Sequence, residues 1–214
     1  MSEAQIHAGR AVLSGNLNIP KGARGIVLFA HGSGSSRLSP RNQFVARIMN
    51  DGGLATLLFD LLTPEEETID MQSREHRFNI HLLAKRLAHA TGWAKQEKQT
   101  SNLRIGYFGS STGGAAALVA AVDAPDDIGA VVSRGGRPDL ADDALPKVQA
   151  PTLLIVGGND DIVLELNEQA RDRMCCEVGL EIIPGATHLF EEPGALEQVA
   201  RLASDWFLRH LDGK

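Results

Sequence analysis

The sequence of 214 residues is poor in cysteine, in aromatic side chains and in excess charge of one sign. Its two cysteines, Cys175 and Cys176, are adjacent, and neighbouring residues rarely meet the geometry of a disulfide bond. Two adjacent thiols without a further cysteine also make a poor metal site, so we expect reduced cysteines and no metal. The formal net charge of -6 argues against broad nucleic-acid binding, which depends on neutralising phosphates.

Long apolar runs are also missing from the sequence. None reaches the ~20 residues that a helix needs to span a bilayer. The N-terminal stretch does not place an apolar block after a basic start, as a secretory signal would. We therefore expect a cytoplasmic protein with no membrane contact. No linker-like stretch or run of like charge divides the chain, which favours a single domain over residues 1–214.

Short apolar runs alternate with longer amphipathic ones along the chain. This order predicts an α/β fold, with a mostly parallel sheet covered by helices on both faces. The more polar segment 11–20 is predicted to form an antiparallel strand or hairpin at one edge. Ligands bind at the carboxyl ends of parallel strands, so chemistry is expected in the loops that follow them. The predicted strands are 25–32, 54–62, 103–109, 128–136, 151–158 and 180–185, and the predicted helices are 39–52, 77–94, 113–124, 164–174 and 193–211.

The stretch GYFGSSTGG, residues 106–114, places two serines between glycines at a predicted junction of strand and helix. It lacks the glycine spacing of a dinucleotide-binding fingerprint and the lysine of a P-loop. It does match G-x-S-x-G, with Ser111 rather than Ser110 at the centre. The glycines leave room for a sharp turn, and the helix N-terminus favours negative charge that develops on the serine oxygen. Alone, such a short pattern is weak evidence.

Residues downstream strengthen this interpretation. A serine nucleophile needs a base, and the base needs an acid that orients it. Asp160 and Asp161 follow one predicted strand, and His188 follows the next. Because each position follows a parallel strand, all three lie at the same edge of the sheet. Together with the chain order Ser, Asp, His, this predicts a catalytic triad with either aspartate as the acid.

A second loop, HGSG at residues 31–34, follows the first parallel strand. Its small residues allow backbone N–H groups to approach a substrate oxygen closely. Together with the N–H of Thr112, the residue after the nucleophile, this loop is predicted to form an oxyanion hole. His31 is expected to be structural, because His188 already supplies a base.

With these motifs the chain resembles the α/β-hydrolase superfamily, and more narrowly its dienelactone-hydrolase-like branch. The resemblance implies Ser111 as the nucleophile, His188 as the base and the Ser33 N–H as an oxyanion donor. The stretch GGNDDIV is similar to the family's acid loop and selects Asp160. The resemblance implies neither a metal nor an organic cofactor. Segment 137–150, where lid domains are usually inserted, is too short for one.

Two departures from the family bear on the substrate. Dienelactone hydrolases proper use a cysteine nucleophile, whereas this chain has a serine. They also place an arginine shortly after the catalytic histidine, where it holds a substrate carboxylate, and this chain has Glu191 and Glu192 there instead. We therefore expect a serine esterase that acts on small-molecule carboxylic esters. A thioesterase, lactonase, acyltransferase or perhydrolase would use the same residues, and a non-catalytic ligand receptor would keep the same fold.

Four arginines are expected near the carboxyl edge of the sheet: Arg37, Arg41, Arg134 and Arg137. Guanidinium groups bind carboxylates in bidentate fashion, so these residues are candidates for an acidic substrate group. Arg134 is the best single candidate because it lies at a strand end. The alternative is that the arginines pair with nearby acids such as Asp139 or those at 65–67.

Overall fold

A computed structural model describes residues 2–212 and contains one eight-stranded sheet. The strands are β1 (Ser2–Ala8), β2 (Ala11–Asn18), β3 (Ile26–Ala30), β4 (Ala55–Phe59), β5 (Ile105–Ser110), β6 (Ile128–Arg134), β7 (Thr152–Gly157) and β8 (Val178–Ile183). Their order across the sheet is β1-β2-β4-β3-β5-β6-β7-β8. The six strands β3 to β8 are parallel to one another, whereas β1 and β2 form an antiparallel hairpin at one edge. The predicted parallel sheet and edge hairpin are confirmed.

Helices cover both faces of the sheet, as predicted. They are α1 (Pro40–Asp51), α2 (Pro64–Ser73), α3 (Ile80–Gln96), α4 (Thr112–Asp123), α5 (Asp161–Arg173) and α6 (Ala195–Leu211). Helices α1 and α6 pack on one face, and α3, α4 and α5 on the other. Between β6 and β7 the chain forms a 3-10 segment, Pro138–Lys147, which leaves no room for an inserted lid domain. Within residues 2–212, no helix has the length and apolar character needed to cross a membrane.

Burial on both faces explains the continuous apolar runs of the central strands. All five residues of β3 and all six of β5 are buried. Helix α4 lies directly against this part of the sheet. A Cβ atom built on Gly113 would come within 2.1 Å of the Ala30 carbonyl oxygen, so no larger residue fits there. This contact fixes the start of α4 above the ends of the central strands.

The acidic stretch 63–67, whose composition is compatible with a solvated loop or with a helix start, begins helix α2. The Thr63 side chain accepts the Glu66 N–H, and the Glu66 side chain accepts the Thr63 N–H, which forms a capping box. Helix α3 begins at Ile80 rather than at the predicted residue 77, because the Asn79 side chain caps it. Between these two helices the chain folds back on α2, where the Asp70 side chain accepts the N–H groups of His76 and Arg77.

Candidate active site

Ser111 stands at a strained turn between β5 and α4. Its backbone has φ 51° and ψ -121°, a conformation that costs a residue with a side chain about 1–3 kcal/mol. A Cβ atom on Gly109 would lie 2.4 Å from the Gly113 carbonyl oxygen, so sterics require glycine at this position. The Ser111 N–H donates to the Arg134 carbonyl at 3.3 Å, and its own carbonyl accepts the Arg137 N–H at 3.1 Å. The turn is thus held from the neighbouring strand.

Asp160 and His188 lie together at the same edge of the sheet. His188 Nδ1 is 2.6 Å from Asp160 Oδ2, whereas Asp161 begins helix α5 and is exposed. With Nδ1 donating to the carboxylate, Nε2 is left to accept a proton. Gly135 follows Arg134, whose carbonyl accepts the Ser111 N–H. A Cβ atom on Gly135 would lie 3.6 Å from His188 Cε1, so His188 lies near the turn at Ser111. Within residues 2–212 the Ser111 hydroxyl makes no hydrogen bond to His188, whose Nδ1 contacts Asp160.

The two loops expected to form the oxyanion hole meet beside Ser111. The hydroxyls of Ser33 and Thr112 are 3.1 Å apart and hydrogen bond to each other. A Cβ atom on Gly32 would lie 3.1 Å from Ser111 Cβ, so this glycine lets the loop pass close to Ser111. Thr112 is buried in the first turn of α4. The arrangement brings both loops to the positive end of the α4 dipole.

Two contacts fix the loop after β3 to the end of β4. Buried His31 accepts the Leu61 N–H at Nε2, 3.0 Å away, and donates from Nδ1 to the Gly32 carbonyl at 3.0 Å. Burial lowers the pKa of His31, so the imidazole stays neutral as these contacts require. The Arg37 backbone N–H donates to Asp60 at 2.8 Å, and the two side chains form an ion pair. His31 therefore holds this loop in place.

A pocket of about 140 Å³ adjoins Ser33 and Thr112. Its far wall comes from α2 and the turn that follows, including Met71 and Arg77, and from Leu83 of α3. This wall was not predicted. The cap sequence at residues 63–66 was the one signal that could have indicated α2.

Asp70 builds the turn behind this wall. Its buried carboxylate accepts the N–H groups of His76 and Arg77, at 2.8 and 2.9 Å, and Arg77 Nε at 2.6 Å. Burial alone would raise the pKa of Asp70, but the hydrogen bonds and charge of Arg77 outweigh it and lower the pKa. The pairing holds Arg77 at the pocket.

The four arginines at this edge of the sheet have different partners. Arg37 pairs with Asp60, Arg137 with Asp139 at 2.7 Å, and Arg41 with exposed Glu191 at 3.0 Å. Arg134 is buried and does not line the pocket beside Ser33. Arg37, Arg41 and Arg137 therefore each pair with an acid, while a binding role for Arg134 stays a prediction. Residues 2–212 contain no cluster of three or more His, Cys, Asp or Glu side chains that could hold a metal ion.

Comparison with known proteins gives both a family and a fold. The profile of the dienelactone hydrolase family matches residues 13–212. A crystal structure of dienelactone hydrolase from Anabaena variabilis is 59% identical, with a TM-score of 0.96 over 98% of this chain and 97% of that one. Est1E from Butyrivibrio proteoclasticus, 18% identical, shares the fold with a TM-score of 0.82 over 98% of this chain and 99% of its own.

Curated relatives are longer than this chain. Two proteins of Mycobacterium tuberculosis, provisionally named phosphoribosyl transferases, are 58% identical over 211 residues. The match covers 99% of this chain and 47% of theirs, so the chain spans about half the length of these relatives.

Proposed function

Because the chain belongs to the dienelactone hydrolase family, we propose that it hydrolyses carboxylic esters of small molecules through an acyl-enzyme on Ser111. The observation that carries this proposal is the 2.6 Å contact between Asp160 and His188 beside the strained turn at Ser111. A nucleophile, a base and an orienting acid are the three groups that acyl transfer of this kind requires.

The reaction begins when the Ser111 oxygen attacks the ester carbonyl carbon and His188 Nε2 takes the hydroxyl proton. Asp160 holds the ring of His188 in the tautomer that leaves Nε2 free, and stabilises the imidazolium that forms. His188 then gives the proton to the departing alkoxide, which leaves as an alcohol. Water, activated by the same histidine, attacks the acyl-enzyme and releases the carboxylic acid with Ser111 restored.

The negative charge on the tetrahedral intermediate needs hydrogen-bond donors. The backbone N–H groups of Ser33 and Thr112 are our candidates, since the two loops meet at the start of α4. Each such donor contributes about 3–4 kcal/mol to the transition state in serine hydrolases. The mechanism therefore uses the chain's own groups and requires neither a metal ion nor an organic cofactor.

The size of the pocket favours short acyl groups. At about 140 Å³ it accommodates a small acyl chain next to the proposed oxyanion donors. Thioesters, lactones and acyl transfer to another acceptor would use the same three side chains, so they remain alternatives within the same chemistry. A receptor without catalysis would also retain the pocket.

Labelling with a fluorophosphonate tests the proposal directly, because the probe reacts with an activated serine. We expect stoichiometric labelling at Ser111, no labelling of Ser111→Ala, and normal labelling of the matched variant Ser110→Ala. A wild-type protein that stays unlabelled would instead indicate a receptor. Rates on p-nitrophenyl esters, thioesters and lactones then identify the preferred acyl compound.

A further inference from the structure

Arg134, the last residue of β6, is a buried charge without a counter-charge. The residue is 7% exposed, and Nη1 is buried without a hydrogen-bond partner. In residues 2–212, no carboxylate lies within the 4.0 Å of an ion pair with this guanidinium. Its Cζ lies 6.0 Å from the ring centroid of Phe108, at the outer limit of a cation–π contact. Buried charges are ordinarily paired, so this environment points to a missing anion.

A second arginine approaches the same place. Arg134 lies opposite Ser110 in the register of β5 and β6, and the Ser110 hydroxyl donates to Asn42 Oδ1 at 3.3 Å. Asn42 follows Arg41 in the first turn of α1, which contains no acidic residue. Burial and, as the smaller cause, the charge of nearby Arg41 together lower the pKa of Arg134 to about 10. Arg41 Nε is also buried without a partner.

We propose that Arg134 and Arg41 form a binding site for a small oxyanion, a carboxylate or a phosphate, beside the turn at Ser111. The two unpartnered buried nitrogens supply donors from two guanidinium groups, which suit both kinds of oxyanion. The positive end of the α1 dipole adds to their field.

Arg41, on one side of the proposed site, borders a groove that is distinct from the pocket beside Ser33. A groove of about 370 Å³, lined by Arg41, Phe190 and Glu191, opens between α1 and the loop after β8. The Arg134 carbonyl accepts the Ser111 N–H, so a bound anion would lie close to the turn at Ser111. Glu191 competes with the anion for Arg41, because the two side chains form an ion pair at 3.0 Å.

Thermal unfolding in phosphate and in acetate, at ionic strength held constant with chloride, tests the site without using activity. We expect either anion to raise the wild-type Tm saturably, by about 3 °C at ten times its Kd. Arg134→Met should abolish the shift. Arg137→Met removes an arginine that is already paired with Asp139, and should keep it. Glu191→Gln frees Arg41 and should make the anion bind more tightly.

The proposal is overturned if neither anion shifts the wild-type Tm, or if Arg134→Met responds as the wild type does. Should Arg134→Met fail to fold, Arg41→Met at the half-exposed partner position must weaken the shift. Ser111→Ala must retain it, which separates this site from the proposed hydrolysis.

The source of the anion is decided by kinetics on two matched esters, one neutral and one a monoester of a dicarboxylic acid. A loss of kcat/KM in Arg134→Met that is about 5–30-fold larger on the acidic ester would assign the anion to the substrate. Equal losses on both esters, with the Tm shift retained in the wild type, would assign the site to a free anion.

Discussion

The two sides of the candidate site differ in what positions their residues. On one side, Asp160 and His188 each follow directly from the end of a strand, and their contact is set by the parallel sheet. On the other side, the far wall of the pocket comes from α2, the turn after it and Leu83 of α3, and ion pairs between side chains hold α2 and that turn in place. Strand ends place the proposed chemistry, whereas side-chain pairs shape the space for the substrate. Substitutions on the two sides should therefore have different consequences.

The largest effect is expected where the strand ends meet. Ser111→Ala should lower kcat/KM on an ester by roughly 10⁴-fold or more, and His188→Ala by nearly as much, because triad members act as a unit. Adding the second change to the first should cost little more. Rates of p-nitrophenyl acetate hydrolysis measure this. A mild Ser111→Ala together with an inactive Ser110→Ala would refute the choice of nucleophile.

A smaller effect is expected from enlarging the pocket. Acetate and butyrate esters should have a higher kcat/KM than a palmitate ester, since the pocket is small and no lid domain follows β6. Leu83→Ala, at the buried wall, should raise the ratio of kcat/KM for hexanoate over acetate by about 10-fold. Leu87→Ala, one turn along α3 and buried away from the pocket, serves as the control and should leave the ratio unchanged. Equal ratios in both variants would show that Leu83 does not limit the acyl chain.

Breaking the turn behind the pocket wall should affect stability as well as rate. Asp70→Asn removes the charge that accepts three hydrogen bonds, so we expect the free energy of unfolding to fall by about 2 kcal/mol. Fluorophosphonate labelling at Ser111 should persist under folding conditions, because the strand ends are untouched. Denaturant titration measures the first effect, with Asp143→Asn at an exposed site as the control. Loss of labelling at unchanged stability would contradict this separation of roles.

The smallest effect concerns pH and His31. Its pKa is lowered by burial in the folded chain, whereas in the unfolded chain it takes up a proton near pH 6.5. Below that pH the unfolded state binds more protons, so stability falls as the solution is acidified toward the folded-state pKa. We expect Tm to drop between pH 7 and 5 by about 2–4 °C more in the wild type than in His31→Asn. Parallel slopes in the two proteins would mean that His31 does not contribute to this dependence.

The same contrast determines what could be predicted from sequence. The turn at Ser111 could be predicted from its flanking glycines, because a strained turn packed against a neighbouring backbone permits few residue types. Asp160 and His188 are readable because each follows an apolar strand. The turn between Asp70 and Arg77 has no such signature, since its ion pair depends on how the chain folds back after α2. The departure from the predicted start of α3 has the same origin, because Arg77 belongs to that turn and Asn79 caps the helix that begins at Ile80.

Glu66 links the pocket wall to the edge of the sheet. One of its carboxylate oxygens caps α2, and the other accepts a hydrogen bond from Arg86, whose Nη1 donates to the Ala8 carbonyl at 3.3 Å. Local unfolding of the β1–β2 hairpin would therefore remove one anchor of Arg86 and loosen the start of α2. The hairpin and α2 should thus behave as one cooperative unit in native-state hydrogen exchange, and their amides should open with a similar free energy. Access to the pocket would then depend on the stability of a strand at the far edge of the sheet.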